Sequence, residues 1–305
     1  MERRIGPSHL RDRLRLEQAH EARVGQRRGL HHVENWRLVR LLINSGLRVT
    51  GLHGRGRRNA LNVQVTRHAV PLKHLPASFH GFTLLHLSDL HLASGAAGIE
   101  AMVEAVRPLD YDLCVLTGDY RFRTYGPSDA TLAELERLRA ALKTPAYAVL
   151  GNHDSIRMVP AMEAMGYRLL LNEHVPIRRG DDAVHLAGID DAYFYDLADF
   201  RRAAGAIPPD ATSILLSHTP ETYRDAAAAD FDLMLCGHTH GGQICLPGGV
   251  PVLTHAPSPR RFARGSWRYD QLIGYTSRGT GNSLVDIRFN CPPEVTLHQL
   301  ERTAA

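Results

Sequence analysis

Cysteine is scarce in this chain of 305 residues: Cys114, Cys236, Cys245 and Cys291 are all it has, and no two form a C-x-x-C pair. That spacing excludes a disulfide framework and a thiolate metal site, and leaves the four as small apolar residues of a reduced compartment. Long apolar runs are missing as well. Nothing reaches the 18 residues of a membrane-spanning helix, and no apolar stretch of signal length follows the basic start, so neither a span nor a signal peptide is expected. Apart from Ala226 to Ala229 there is no low-complexity block and no internal repeat, which excludes a repeat array. What remains is 44% hydrophobic and long enough for one large domain with a layered core.

Charge is divided unevenly along that length. Residues 1–80 hold 16 Lys and Arg against 5 Asp and Glu, a net +11, while the other 225 residues hold 20 against 27, a net −7. A basic extension over 1–58 ahead of a domain over 59–305 is the division this suggests. Within it Val33, Trp36, Val39, Leu42 and Ile43 fall on or near one face of a possible helix over Trp36 to Leu47, flanked by arginines. Such a segment suits an anionic membrane surface, contacted through residues 1–50, or packing against the domain or a partner subunit. Attraction to nucleic acid is the generic third reading of the arginines.

The remaining sequence is organised by short apolar runs that each end in Asp, Asn or His. They are Phe82 to Leu87 before Ser88-Asp89-Leu90-His91, Leu113 to Thr117 before Gly118-Asp119, and Ala146 to Leu150 before Gly151-Asn152-His153-Asp154. Ile214 to Ser217 leads to His218, and Leu235-Cys236-Gly237 leads to His238-Thr239-His240. One His-x-His among 18 histidines reads equally well as a solvated turn; five such endings do not. Runs of this length rich in Leu, Val and Ile are strands buried on both faces. Helical spacing between them, over Ala97 to Val106 and from an N-cap at Ser128 to Leu142, makes the domain α/β, with ligands at the carboxyl ends of the strands. Glycine before Asp119, Asn152 and His238 is expected to allow sharp exits from the strands. Asn59 to Val65 and Val295 to Leu300 alternate as edge and final strands, with a connection from Pro71 to Pro76.

Asp89, His91, Asp119, Asn152, His218, His238 and His240 form a mixed oxygen and nitrogen donor set, suited to Mn, Fe, Zn or Co. Seven donors exceed the needs of one ion with open positions. They suit two divalent transition-metal ions about 3.5–4 Å apart, with a bridging carboxylate and a shared hydroxide able to attack phosphorus.

These five blocks, in this order, resemble the calcineurin-like metallophosphoesterases over roughly residues 80–300. Gly241-Gly242-Gln243, Ser277-Arg278-Gly279-Thr280-Gly281 and Arg288 with Pro292-Pro293-Glu294 look like the bacterial branch, which includes phosphodiesterases and a UDP-2,3-diacylglucosamine pyrophosphatase of lipid A synthesis. The resemblance implies a four-layer αββα sandwich of two mixed sheets. It implies that Asp89, His91, Asp119 and His240 hold one ion, that Asp119, Asn152, His218 and His238 hold the other, and that Asp119 bridges. His153 would face the phosphate as general acid, its imidazole held by Asp154.

Outside that set, His86 reads as a core histidine rather than a ligand, and Cys236 as pointing away from the centre. Arg278 is placed either to grip an anionic substrate or to form a structural salt bridge, and Gln243 either to touch substrate or to brace the metal loop. Stretches 155–179 and 246–267 are expected to be loops that set selectivity. The expected function is hydrolysis of a phosphodiester or pyrophosphate, on a lipid-linked nucleotide, another nucleotide or a nucleic acid, in the cytoplasm or at the cytoplasmic face of the inner membrane. A silent scaffold of the same fold is the competing class. Since no candidate ligand precedes Asp89, residues 1–50 are expected to be dispensable for hydrolysis.

Overall fold

The apolar runs become strands because alternate side chains enter different cores. Leu84, Leu113, Val115, Leu233 and Leu235 meet between two sheets, Leu85, Cys114 and Leu116 face helices on one side, and Leu215, Met234 and Cys236 face helices on the other. Each fully buried aliphatic side chain contributes about 1.5–3 kcal/mol, so a run of four or five has no exposed face to spare. In the computed structural model, residues 1–25, 37–93, 95–252, 254 and 256–303 are described.

The helices are α1 (Glu2–Ile5), α2 (Pro7–Gly25), α3 (Arg37–Val49), α4 (His53–Leu61), α5 (Ala96–Val106), α6 (Asp129–Ala141), α7 (Val159–Ala164), α8 (Phe200–Ala204) and α9 (Tyr223–Ala228). The strands are β1 (Gln64–Leu72), β2 (Thr83–Leu87), β3 (Leu113–Thr117), β4 (Ala146–Val149), β5 (Tyr167–Leu169) and β6 (Glu173–Arg179), then β7 (Asp182–Gly188), β8 (Ser213–Leu216), β9 (Leu233–Cys236), β10 (Gly265–Tyr269), β11 (Leu272–Thr276) and β12 (Glu294–Arg302).

One six-stranded sheet runs β1-β12-β2-β3-β4-β5 and the other β10-β11-β9-β8-β7-β6. Both are mixed. Strands β2 to β5 are parallel, as are β7, β8, β9 and β11, while β12 against β2, β6 against β7 and β10 against β11 are antiparallel. Two mixed sheets face to face with helices outside give four layers, as the resemblance implies. The carboxyl ends of β2, β3 and β4 in one sheet and of β8 and β9 in the other each lead into a candidate ligand.

Several local expectations change. Residues 59–61 are helical rather than extended: α4 continues to Leu61, and the expected edge strand, β1, begins only at Gln64. The alternation there is overridden by a helical spacing, with Gly56 and Ala60 buried one turn apart. Pro71 lies inside β1 rather than in a connection, tolerated because β1 is an edge strand paired only with β12. Ser128 stands at the N-cap of α6, but its side chain makes no capping bond. Stretch 155–179 is not a loop, since it builds α7, β5 and β6, whereas 246–267 is largely irregular up to β10.

The boundary at 58 falls within α4, and α1 and α2 lie on the domain, with Ile5 buried in its core. Of the apolar face read over 36–47, Val33 and Trp36 lie outside the described residues. All four cysteines are free and buried.

Candidate metal centre

The loops leaving the strands hold five of the seven candidate ligands in left-handed backbone: Asp89 (φ 51°), His91 (44°), Asp119 (57°), His238 (71°) and His240 (51°). Each costs on the order of 1–2 kcal/mol for a residue with a Cβ, and such strain persists only where the surroundings enforce it. Here the loops enforce it mutually, through Asp89 N–H to the Gly118 carbonyl (3.0 Å) and His91 N–H to the Asp119 carbonyl (3.0 Å). Gly118 does make the sharp exit expected of it (φ 87°). Gly237 is needed for space instead: a Cβ there would overlap Ser88 Oγ and the Asp89 carboxylate.

All seven candidate ligands converge. Asp119 Oδ2 lies 3.3 Å from His218 Nε2, 3.7 Å from His91 Nε2 and 3.9 Å from His153 Nε2. On one side of it His240 Nε2 is 3.0 Å from His91 Nε2 and 3.5 Å from Asp89 Oδ1. On the other, Asn152 Oδ1 is 3.0 Å from both His218 Nε2 and His238 Nδ1. Two triads able to surround an ion result, Asp89–His91–His240 and Asp119–His218–His238; a third, His91–Asp119–His153, brings His153 to the same place. The rings are aimed by carbonyls: His91 Nδ1–H donates to Arg121 O (3.0 Å), His218 Nδ1–H to Thr117 O (2.8 Å) and His153 Nδ1–H to Phe122 O (3.2 Å). That leaves each Nε2 facing the cluster. Buried carboxylates and imidazoles held this close form a site suited to a cation, and hard and borderline donors without sulfur suit divalent metal ions.

Charges within the cluster are strongly coupled. Burial opposes a charge on His218, but Asp119 and then Asp89 and Asp191 outweigh it and raise its pKa to about 10. Burial also opposes ionisation of Asp119, yet His218, His153 and His91 hold it well below the usual carboxylate range. Burial and the Asp119 charge lift Asp89 to about 6 against the pull of His218. His91 is pushed down to about 3 by burial and His153. In the metal-free protein at neutral pH, His218 is therefore an imidazolium and must lose its proton to become a ligand. Loading with Mn²⁺ at pH 7 is expected to release a proton, and apparent affinity to rise as pH climbs toward 10 and to fall further below about 6, where Asp89 also binds a proton. Calorimetric titration in buffers of different protonation enthalpy measures this; zero proton release at pH 7 would contradict the His218 assignment.

One role expected from the sequence is corrected, and two readings left open are narrowed. Asp154 does not orient His153: its carboxylate accepts backbone N–H groups from Gly151 (2.9 Å), Asp119 (2.8 Å), Tyr120 (2.9 Å) and Arg121 (3.2 Å), fastening the β3 and β4 exits together. Arg278 is committed to Glu294, with Nε 2.7 Å from Oε2, and to Thr66 Oγ1 (3.2 Å). Gln243 spends its amide on backbone of 283–287, donating to Ser283 O (2.8 Å) and Val285 O (2.9 Å) and accepting from Ser283 N–H (2.8 Å). Arg278 thus takes the salt-bridge reading and Gln243 the loop-bracing one. Cys236 points away to Thr276.

Sequence reading missed the contribution of α2. Arg13, fully buried, donates to the Asp154 carbonyl (3.0 Å), to Asp190 Oδ1 (3.0 Å) and to Glu17 Oε1 (3.1 Å), and stacks on Tyr195. Glu17 in turn accepts from Ile156 N–H (2.7 Å) and Ser155 Oγ–H (2.7 Å). The basic start of the chain is thus locked to the segment following His153, against the expectation that residues 1–50 are dispensable. One arginine among eleven in a basic stretch carries no mark that sets it apart.

Facing mixed sheets with a buried Asp, Asn and His cluster at their strand ends define a metal-dependent phosphoesterase. Residues 82–242 match the family described as calcineurin-like phosphoesterase, and the chain belongs to that family. It is 31% identical over 254 residues to the uncharacterized metallophosphoesterase YkoQ of Bacillus subtilis, covering 80% of this chain and 92% of that one. Phosphodiesterase YaeI of Escherichia coli is 30% identical over 250 residues (72% and 82% covered). The UDP-2,3-diacylglucosamine pyrophosphatase LpxG of Chlamydia trachomatis is 26% identical over 282 residues (72% and 84%).

Proposed function

We propose that the chain hydrolyses a phosphodiester or pyrophosphate bond at a dinuclear centre, and that its substrate is presented at an anionic membrane surface, as a lipid-linked nucleotide would be. The observation that carries the reading is the place of Asp119 Oδ2, within 4 Å of three imidazoles, on a residue common to two of the three triads. Asp89, His91, Asp119 and His240 would hold one ion, and Asp119, Asn152, His218 and His238 the other. Bound ions supply positive charge against the phosphate oxygens and make a water acidic enough to attack at neutral pH. The protein's own part is to fix the donors and to move one proton. With Nδ1 donating to Phe122 O, the acid form of His153 carries its second proton on Nε2, facing the cluster, where it reaches a departing oxygen.

Elemental analysis and assay of one preparation test the class. Two ions per chain, loss of activity on a synthetic aryl diester with chelator, and recovery that is best with Mn²⁺ among Mn²⁺, Fe²⁺, Zn²⁺ and Co²⁺ are expected. Full activity with less than about one ion per chain would exclude the dinuclear centre. Testing UDP-diacylglucosamine, a cyclic nucleotide and single-stranded DNA on the same sample separates the substrates. His153→Ala is expected to keep its metals and slow turnover by about 10²–10⁴-fold, most on substrates with poor leaving groups. Loss of metals in that variant would make His153 a ligand instead.

Support for the membrane comes from α3 and the turn after it. Leu41, Leu42, Val49 and Leu52 are 61%, 60%, 89% and 41% exposed, an apolar face that the described residues leave open. Arg40, Arg48 and Arg57 line a cavity of about 430 Å³ beside it with His53 and Asp286. Arg40 also stacks on Phe122, whose carbonyl aims His153, so this face borders the catalytic end. Among the described residues no helix is long and apolar enough to cross a membrane. Leu42→Asp with Val49→Asp is expected to abolish co-sedimentation with acidic vesicles while leaving hydrolysis of a small diester unchanged. Basic residues near anionic lipid contribute roughly 1 kcal/mol each, so wild-type binding should weaken with salt; equal sedimentation of both proteins would exclude α3 as the contact.

A further inference from the structure

Beneath the cluster, three histidines outside the candidate ligand set stand in line across the first sheet. His68 on β1 is paired in register with His298 on β12, and the two Nδ1 atoms are 3.1 Å apart. His298 Nε2 is 3.3 Å from His86 Nδ1, and His86 Nε2 is 2.9 Å from Thr117 Oγ1. Thr117 Oγ1 is 2.7 Å from Ser88 Oγ, which is 2.6 Å from Asp89 Oδ2. Six side chains on four strand segments form one unbroken line ending on a candidate ligand.

The direction of every bond in it is determined. Asp89 as a carboxylate only accepts, so Ser88 donates to it and must accept from Thr117. The Thr117 hydroxyl proton is then spent, so His86 donates from Nε2. A neutral imidazole has one N–H, so His86 Nδ1 accepts from His298 Nε2–H, and His298 Nδ1 accepts from His68 Nδ1–H. Burial favours the neutral ring in all three, holding His86 at about 3, His298 well below the usual range and His68 below it. No link can reverse alone without setting two protons or two lone pairs against each other.

We propose that this one-way chain belongs to the metal centre, assigning Asp89 Oδ2 to the hydroxyl line and turning Oδ1, which accepts the His238 N–H at 3.0 Å and lies 3.5 Å from His240 Nε2, toward the cation. His86, Thr117 and Ser88 are positioning residues in this arrangement. Aligned donors reinforce one another and fix both the rotation and the electron density of the carboxylate. The inference rests on Asp89 being a ligand, as in the function proposed above.

Two experiments on the full chain decide it. Long-range ¹H–¹⁵N correlation spectra of the metal-free protein at pH 7 should show neutral rings with the proton on Nε2 for His86 and His298 and on Nδ1 for His68. His86 protonated on Nδ1, or as an imidazolium, overturns the chain. In Mn²⁺ titrations monitored by calorimetry, Thr117→Val should weaken one of two sites by about 10–100-fold while Thr117→Ser, which keeps the hydroxyl, binds as wild type. A folded Thr117→Val protein with both sites at wild-type affinity overturns the proposal. Wild-type protein that binds no Mn²⁺ removes the metal reading and this role with it, even if the tautomers are as assigned.

Discussion

Asp119→Ala is expected to strip both ions from the protein and take diester hydrolysis to background. Its Oδ2 lies within 4 Å of His218, His91 and His153, so its loss removes the anion common to the triad with His218 and His238 and the one with His91 and His153. The other oxygen accepts the His153 N–H at 2.9 Å, which ties the β3 exit to the loop of Asn152. The charge and the tie can be separated. Asp119→Asn keeps an oxygen for the His153 N–H and nearly the same volume, so it should retain the loop and the fold while binding ions weakly. In both variants His218 loses the main partner that raises its pKa and should titrate lower, visible in its imidazole resonances. Elemental analysis beside circular dichroism measures the outcome; an Asp119→Ala protein with two ions per chain would remove Asp119 as the bridge.

Arg13→Met should destabilise the protein by about 3–5 kcal/mol, because it leaves the Asp190 carboxylate buried beside a missing partner. Burial alone would raise the Asp190 pKa, and it is Arg13, with His9, that brings it below normal. With Asp190 depressed in the folded state, its share of stability is present above pH 4 and is lost as pH falls through its lowered value, so the gap between wild type and Arg13→Met should narrow in acid. Arg13→Met combined with Asp190→Leu removes both charges and should recover most of the stability. It should not recover activity, since the Asp154 carbonyl still lacks its donor and Glu17 its orienting partner. Thermal unfolding with steady-state kinetics on the aryl diester distinguishes the two effects. Full activity in the double variant would reduce α2 to packing alone.

The same contrast marks what could be read in advance. Strand-end patterning was legible because strands buried on both faces admit only apolar residues, so each run stops visibly where the chain turns polar. The five endings therefore named every member of the three triads. Asn59 to Leu61 misled, while Gln64 and Val65 did enter the edge strand, because so short a stretch fits a period of two as readily as a turn of helix, and the choice fell to whether Gly56 and Ala60 had a surface to pack on. Asp154 misled differently. Its neighbour His153 suggested a partner in sequence, while the carboxylate found four N–H groups brought together by the β3 and β4 exits.

By itself the sequence determined that this chain is an α/β domain of the phosphoesterase family with a mixed oxygen and nitrogen donor set at its strand ends, because residue type and local period are properties of short segments. Tertiary structure alone decided the rest. Asp119 joins two triads, Arg278 pairs with Glu294, Gln243 braces the backbone of 283–287, Arg13 reaches Asp154 across 141 positions of chain, and His68, His298 and His86 align on neighbouring strands. Each of these depends on distances between segments far apart in sequence, set when two sheets pack face to face and bury their common core, and no local pattern encodes such a distance.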